Sequence, residues 1–481
     1  MPFEIPVLAP KRIAVIGAGI SGMAAARLLA ADHRVVLIEA ARRLGGHART
    51  VVAGRHGDQP VDTGFIVFNR TNYPHLSALF DELDVPLANS DMSFGVSIDG
   101  GRIEYGLAGI RAILAQKRNA LRPAFVGMIR DILRFNANAA DVATDPAMTI
   151  GQLVREMRLG RWFRDYYLAP FSGAIWSTPT KGILDFPALA MLQFFRNHAL
   201  LDYSGQHQWL TVKGGSVEYV RRLEASLRNA GVEIRLGAPV AAVRRHEHGA
   251  EVRLAGGEWE HFDDVVFATH ADDTLAVLAD ADPAERKALG AVRYQPNEAV
   301  LHADTSVMPR RRLAWSSWVY TEDKGPRPDR ISLSYWMNSL QPIPHSDPMF
   351  VTLNATRPIR DDLIYDVTTF RHPVYDLGTI AAQAEICRMN GARNTWFCGA
   401  WMKNGFHEDG FASAVDVAEA MAARNPVGQA ACAGLTTLRA RRSTAGAVRS
   451  GTHFAMVWTT CCLMPKRPKA GRGFSRATAR T

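Results

Sequence analysis

The stretch Arg12-Ile13-Ala14-Val15-Ile16-Gly17-Ala18-Gly19-Ile20-Ser21-Gly22 constrains this chain more than any other. An apolar run feeds a glycine triplet, and small residues then continue at helical spacing to Val35-Val36-Leu37-Ile38-Glu39, a second apolar run closed by an acid. Strand, glycine turn, helix and strand in that order cradle a dinucleotide pyrophosphate at a helix N-terminus. Gly17 permits the tight turn, Gly19 lets the backbone of the turn (with Ile20 and Ser21) approach the phosphates, and Gly22 lets helix and strand pack closely. Glu39, 22 residues after Gly17 and followed by Ala40, is placed to bind ribose hydroxyls.

Charge does not redirect this reading. The 481 residues hold 56 Lys and Arg against 47 Asp and Glu, a formal net charge of +9, which suggests a nucleic-acid binder until it is located. After Asn425 come Arg439, Arg441, Arg442, Arg449, Lys466, Arg467, Lys469, Arg472, Arg476 and Arg480 with no acid, so residues 1–425 keep 46 basic against 47 acidic residues, a net of −1. The excess belongs to a tail, and no nucleic-acid partner is expected. Five cysteines (Cys387, Cys398, Cys432, Cys461, Cys462) show neither metal spacing nor an even framework, which fits a reducing, cytoplasmic compartment. Met1 to Pro10 lacks the pattern of a signal peptide, and no apolar run reaches the roughly 18 residues of a membrane span.

Along the chain, Asp62-Thr63-Gly64-Phe65-Ile66-Val67 reads as a strand entering a turn, and residues 106–162 are mostly helical, with apolar residues at three and four spacing in 110–121 and 125–135. Leu184 to Leu200 is apolar and aromatic. A helix from Val217, a strand at 232–236, hairpin strands at 239–243 and 251–254 and a buried strand at 263–269 follow. The segments 300–303, 314–320, 331–337 and 350–353 read as strands of one antiparallel sheet. A last strand at 395–400 and a helix over 409–423 end at Asn425-Pro426. Residues 426–481 lack sustained periodicity and read as a basic, largely disordered tail. Its apolar run His453 to Met464, flanked by Arg449, Lys466 and Arg467, has two readings: a peripheral contact with an anionic leaflet, or, the favoured one, a nonessential extension.

Three separated pieces together resemble the flavin-containing amine oxidoreductase superfamily, which includes monoamine and polyamine oxidases, protoporphyrinogen oxidase and the phytoene desaturases. The first is Glu39 … Arg43-Leu44-Gly45-Gly46 … Thr50, similar to that group's extension of the dinucleotide fingerprint. NAD enzymes usually lack it, so the resemblance implies FAD, with Arg43, Leu44 and the Gly45-Gly46 backbone along the pyrophosphate and near the flavin, and with Thr63 and Gly64 among the cofactor-binding residues. His47, beside the double glycine, is placed to approach the flavin, the favoured reading, or to carry it covalently. The second is Val240, matching a segment that contacts the adenine end through its backbone, with Ala268-Thr269 matching an alanine-threonine turn that in many relatives is followed by proline where His270 stands. The third is Phe397-Cys398-Gly399-Ala400-Trp401 … Gly405-Phe406-His407-Glu408-Asp409-Gly410, similar to the segment that reaches the flavin ring. Gly399, Ala400, Phe406, the backbone of His407 and Ala412 of the following helix are the implied contacts, and the free N–H groups of a helix starting near Asp409 would stabilise negative charge on the reduced flavin. More narrowly, Tyr335-Trp336-Met337-Asn338, His372-Pro373-Val374 and Gly405 to Gly410 resemble a bacterial subgroup of predicted NAD/FAD-binding oxidoreductases.

Amine oxidases of this superfamily usually place a lysine near the flavin on the first strand of the substrate sheet. By position that is Asn297-Glu298-Ala299-Val300-Leu301-His302, which has no lysine. His302 is the substitute catalytic candidate, although a sheet histidine satisfied by its neighbours is the commoner case. Phe406 matches one of two aromatic rings that flank the flavin, and Trp336 and Trp401 are candidates for the cavity wall. Trp176, Phe186, Phe194, Phe195, Trp315 and Trp318 suggest a large apolar cavity, with core packing the competing explanation for each. His407-Glu408-Asp409 points in different directions along a turn, and no metal is expected.

The expected architecture is α/β: a Rossmann-like FAD-binding domain from 1–75, 205–290 and 376–425, interleaved with an α+β substrate domain from 76–204 and 291–375. The expected enzyme is an FAD-dependent oxidoreductase that passes a hydride from a small hydrophobic, lipid-like substrate to the flavin, with oxygen or another electron acceptor regenerating it. Two alternatives stand beside it: a flavin amine oxidase, and a flavin-binding scaffold or redox sensor without turnover.

Overall fold

The computed structural model describes residues 9–176, 182–201, 207–325 and 330–424. The tail 426–481, with its apolar run and with Cys432, Cys461 and Cys462, lies outside the described residues, as does the turn at Ser177-Thr178-Pro179.

A five-stranded, wholly parallel sheet lies at the centre, in the order Glu233–Arg235, Arg34–Ile38, Arg12–Ile16, Asp264–Phe267, Thr395–Phe397. Its strands are apolar at successive positions because both faces are covered. Alternate residues divide between the two faces. Ile13, Val15, Val35 and Leu37 pack on one side with the helices Ile20–Leu29, Val217–Asn229 and His407–Arg424. Ala14, Ile16, Val36, Ile38, Val265 and Phe267 pack on the other, under the antiparallel strands Val240–His246, Gly249–Leu254 and Trp259–Phe262 and the helices Pro283–Ala291 and Leu377–Met389. Arg245 ties this second layer together: its fully buried guanidinium bonds Glu285 and Asp280, so a buried charge is matched on both sides.

The second sheet has seven strands, in the order Ile364–Val374, Arg293–His302, Phe350–Leu353, Leu333–Trp336, Trp318–Thr321, Phe94–Ile98, Ile103–Gly106. The four expected segments form one antiparallel run here, through Arg293–His302, Phe350–Leu353, Leu333–Trp336 and Trp318–Thr321, and the sheet continues beyond it by a parallel pairing of Trp318–Thr321 with Phe94–Ile98. The sheet also holds a strand that hydrophobic pattern did not reveal. Ile364–Val374 alternates half-buried and exposed residues over most of its length and takes its stability from ten paired positions along Arg293–His302. One face of the sheet covers a large core shared with the amphipathic helix Pro123–Val142 and the helices Ala169–Trp176 and Ala188–Asn197. The other carries a small cluster of Val307, Met308, Val319 and Phe350, against which Trp315 and Trp336 pack. No helix among the described residues is long and apolar enough to cross a membrane.

Candidate active site

A cavity of about 1150 Å³ runs from the glycine turn of the parallel sheet into the core beneath the seven-stranded sheet. At its first end the backbone geometry is specific. Gly17 has φ +98° and its amide donates to Ile38 O at 2.8 Å, which closes the turn between the two first strands. A Cβ on Gly22 would lie 1.7 Å from Gly17 O, whereas a Cβ on Gly19 would meet nothing within 4 Å and would project into open space. Gly19 therefore faces the cavity, while Gly22 packs the helix on the strand. Glu39 accepts from Ala18 N at 2.7 Å and Ala41 N at 2.8 Å, and each carboxylate oxygen keeps acceptor capacity for a hydroxyl. Arg43 donates to the carbonyls of Gly46 (2.8 Å) and Ala48 (3.1 Å), so the guanidinium shapes the Gly45–Gly46 loop that borders the cavity.

The C-terminal piece closes the same space from the other side. A Cβ on Gly410 would come within 2.8 Å of Ile20 and of Ser21, so the helix His407–Arg424 lies directly on the first helix. Gly399 (φ +159°) bends the chain so that Ala400, Gly405, Phe406 and His407 line the cavity. The His407 ring stacks on Phe65 at 3.9 Å and bonds the Tyr219 hydroxyl at 2.8 Å, and desolvation holds its pKa down to about 3. Glu408 accepts from the amides of His75 and Leu76, and Asp409 accepts from Phe406 N, so both acids tie down neighbouring backbone.

His47, His270 and His372 form one wall with Phe370. The His47 ring lies 5.8 Å from His270, 5.7 Å from His372 and 5.0 Å from Phe370. Desolvation lowers all three histidines, His47 to about 4 and the other two to about 3, so the wall is uncharged at neutral pH. His47 Nε2, His270 Nδ1 and the Tyr375 hydroxyl are buried polar atoms without hydrogen-bond partners, and all three residues line the cavity. Orphaned polar atoms beside an open glycine turn fit a large, polar, planar ligand such as FAD. His270, Asp272 and Asp273 also approach one another within 4.8 Å, but Arg371 pairs with both carboxylates, which makes the group an ion-pair network.

Beyond this wall the cavity becomes apolar. Phe94, Ile113, Ile129, Ile132, Phe171 and Ile175 line it, and Phe406 stacks on Phe194 with ring centroids 4.8 Å apart and planes 20° apart. None of the lining residues is a lysine, and the acids among them, Glu39, Asp91 and Asp273, are at least partly exposed.

Of the residues expected from sequence, Gly17, Gly19, Ile20, Ser21, Glu39, Arg43, Gly45, Gly46, His47, Thr63, Gly64, Ala268, Thr269, Gly399, Ala400, Phe406 and His407 line this one cavity. Gly22, Ala40, Leu44, Val240 and Ala412 do not; Gly22 and Leu44 pack just behind it, and Ala238 N bonds Glu39 O, which sets Val240 near the outer end. His302 and Trp336 are corrections. His302 pairs with Phe350, and Phe350 with Trp336, in one row on the far face of the sheet. The His302 ring is occupied by Thr352 Oγ1 at 2.8 Å and by the amide of Asp304, while Trp336 packs edge-on to Trp315. Of the other aromatics, Trp176, Phe194, Trp318 and Trp401 line the cavity, Phe186 and Phe195 are buried core, and Trp315 is across the sheet. Tyr335, one position before Trp336, reaches the chamber. Tyr335 and His372 lie in motifs visible in the sequence, whereas Tyr375 follows a strand that hydrophobic pattern did not reveal.

A model of the family described as flavin containing amine oxidoreductase matches residues 20–353. A stretch of 42 residues is 52% identical to the L-amino-acid oxidase of Sistrurus catenatus edwardsii, covering only 8% of this chain and 8% of that protein. A CLA-producing fatty acid isomerase from P. acnes superposes with a TM-score of 0.62 at 15% identity, over 86% of this chain and 98% of the other. Cyclohexylamine oxidase from Brevibacterium oxydans IH-35A gives a TM-score of 0.61 at 14% identity, over 86% and 99%. At such identities the structural likeness is one of fold.

Proposed function

The chain belongs to the flavin-containing amine oxidoreductase family and is an FAD-dependent oxidoreductase; we propose that its substrate is hydrophobic and lipid-like, and that it loses a hydride from an unactivated C–H. The observation that supports this substrate class is the chamber wall. Aliphatic and aromatic side chains form it, and the cavity presents no lysine and keeps its carboxylates at partly exposed positions. A site built to hold an ammonium group would place a negative or strongly accepting group at depth, because an unpaired buried cation is costly.

Bound FAD would supply the two-electron acceptor for the hydride. The Gly17–Gly22 turn and the first helix would hold its pyrophosphate, and Glu39 its ribose. The first amides of the helix His407–Arg424 have no intrahelical partners and favour negative charge beside them, as develops when the acceptor is reduced. The stacked pair Phe194–Phe406 offers a flat apolar surface against which an apolar substrate would lie, and the surrounding aliphatics exclude water. The histidine wall stays unprotonated at neutral pH and adds no cation to the chamber. As the double bond forms, the adjacent carbon would release a proton to solvent, and oxygen or another acceptor would take up the electrons.

Amine oxidation is the second reading, favoured by the likeness to cyclohexylamine oxidase. Anaerobic loss of flavin absorbance, tested with a lipid extract and with a panel of amines, separates the two. Bleaching by lipid alone is expected. Bleaching by amines alone overturns the lipid reading, and no bleaching by either favours a flavin-binding scaffold.

A further inference from the structure

The cavity lining reaches the surface at Ala108, Gly109, Ile110 and Leu133, residues that border the chamber and are themselves exposed. Around this opening large hydrophobic side chains are concentrated on the surface. Ile110 is 76% exposed, Leu114 38%, Leu121 85%, Val126 53% and Leu133 49%, so five of the eleven large exposed hydrophobics among the described residues fall within 24 consecutive positions. On the helix Pro123–Val142, Val126, Arg130 and Leu133 follow at four- and three-residue spacing and share one exposed face. The short helix Ile110–Ile113 buries none of its residues.

The same segment is strongly basic. Between 107 and 134 stand Arg111, Lys117, Arg118, Arg122, Arg130 and Arg134, against Asp131 alone, and Asp131 is buried and accepts from Gly160 N. Arg111, Lys117, Arg118, Arg122 and Arg130 make no ion pair with any carboxylate among the described residues, although arginines elsewhere on the surface commonly do, as in Arg70–Asp81 and Arg228–Glu224. Arg118 and Arg102 crowd Arg122 with like charge, which, after desolvation, pushes its pKa down. This cluster sits in a body, residues 1–425, whose net charge is −1.

Unpaired cations interleaved with exposed aliphatics, at the mouth of an apolar chamber, match one kind of partner. We infer that the face formed by residues 108–134 docks on a bilayer surface carrying anionic headgroups, with Ile110, Leu114, Leu121, Val126 and Leu133 entering the headgroup–acyl boundary and the arginines and Lys117 lying at the headgroups. The chamber mouth then opens toward the acyl layer. This docking is independent of the substrate class, because it is a property of the outer surface and is read by binding without turnover.

The test is cosedimentation of the full-length, FAD-loaded protein with vesicles of phosphatidylcholine alone and of phosphatidylcholine mixed with phosphatidylglycerol. Binding to the mixed vesicles is expected, weakened at least tenfold by raised salt or by the charge reversal Arg118→Glu with Arg130→Glu, and also by Leu114→Ser with Leu121→Ser and Val126→Ser. All five positions are exposed, so retained flavin absorbance and an unchanged Tm verify folding. Because the basic tail stays present in every variant, a loss of binding is assigned to the face itself. Undiminished binding by both variants overturns the inference. Absence of vesicle binding together with self-association that the same variants abolish overturns it in favour of a protein partner.

Discussion

The ring of Phe406 lies nearly parallel to that of Phe194, centroids 4.8 Å apart, and joins the cofactor side of the cavity to the apolar chamber. Phe406 is set by the loop that precedes the last helix, its amide bonded to Asp409, whereas Phe194 belongs to the helix Ala188–Asn197. The contact thus fixes the chamber relative to the backbone that would touch the flavin. Phe406→Ala is expected to leave FAD bound, because the loop contributes backbone there, and to slow substrate-driven flavin reduction about 10²-fold through lost orientation. Stopped-flow reduction beside a flavin:protein ratio checks it; loss of FAD with an unchanged rate per flavin would contradict it.

Gly19 and Gly22 are three residues apart and should fail differently. Gly22→Ala drives a Cβ to 1.7 Å from Gly17 O, so the turn must open, and loss of flavin binding with a markedly lower Tm is expected. Gly19→Ala meets no protein atom, so the apoprotein should keep its Tm while the Kd for FAD rises roughly tenfold or more through crowding of the phosphates. Thermal melts of apoprotein and flavin titration distinguish the two.

Tyr335 and Trp336 offer a comparison across one sheet. Trp336→Phe and His302→Ala alter the face away from the chamber, so flavin reduction should proceed at the unaltered rate. His302→Ala removes the partner of Thr352 inside a packed layer and should cost about 2 kcal/mol. Tyr335→Ala enlarges the chamber and should raise KM. Reduced activity in His302→Ala, after correction for folded fraction, would return that residue to the mechanism.

Acid should destabilise the protein. Desolvation lowers His47, His198 and His302 to about 4, and His270, His372 and His407 to about 3, against an ordinary 6.5. Below pH 6.5 the unfolded chain therefore binds more protons than the folded one, and stability falls as pH drops toward 4. Desolvation acts oppositely on Asp62 and Asp409, raised to about 6, and on Glu408, raised to about 7, whose protonation favours the folded state as pH falls below 7. The histidines outnumber these carboxylates, so the net expectation is a Tm that falls between pH 6.5 and 4.5. A Tm that rises over that window would show the carboxylates to dominate.

The cofactor cradle was legible in the sequence because it is local. Gly17, Gly19, Gly22 and Glu39 sit within one strand–turn–helix–strand unit, and their spacing alone fixes a turn, a close approach and a helix dipole. The segment from Gly399 to Gly410 was legible for the same reason, since its glycines and the helix start specify backbone shape. Which side chains meet across the chamber was decided only by tertiary structure. A pleated strand sends neighbours to opposite faces, so Tyr335 faces the substrate and Trp336 turns away, and nothing within Tyr335-Trp336 says which. Cross-strand register settles it, by placing Trp336 with Phe350 and His302, and Tyr335 with Val351 and Leu301. The basic, apolar face at the chamber mouth depends on the fold as well: the helical period of 123–142 predicts an amphipathic helix, but only packing shows that Val126 and Leu133 remain outside while Phe125, Met128 and Ile132 go in. Short-range steric rules are written in the order of residues, whereas the choice of face is made by partners hundreds of positions away.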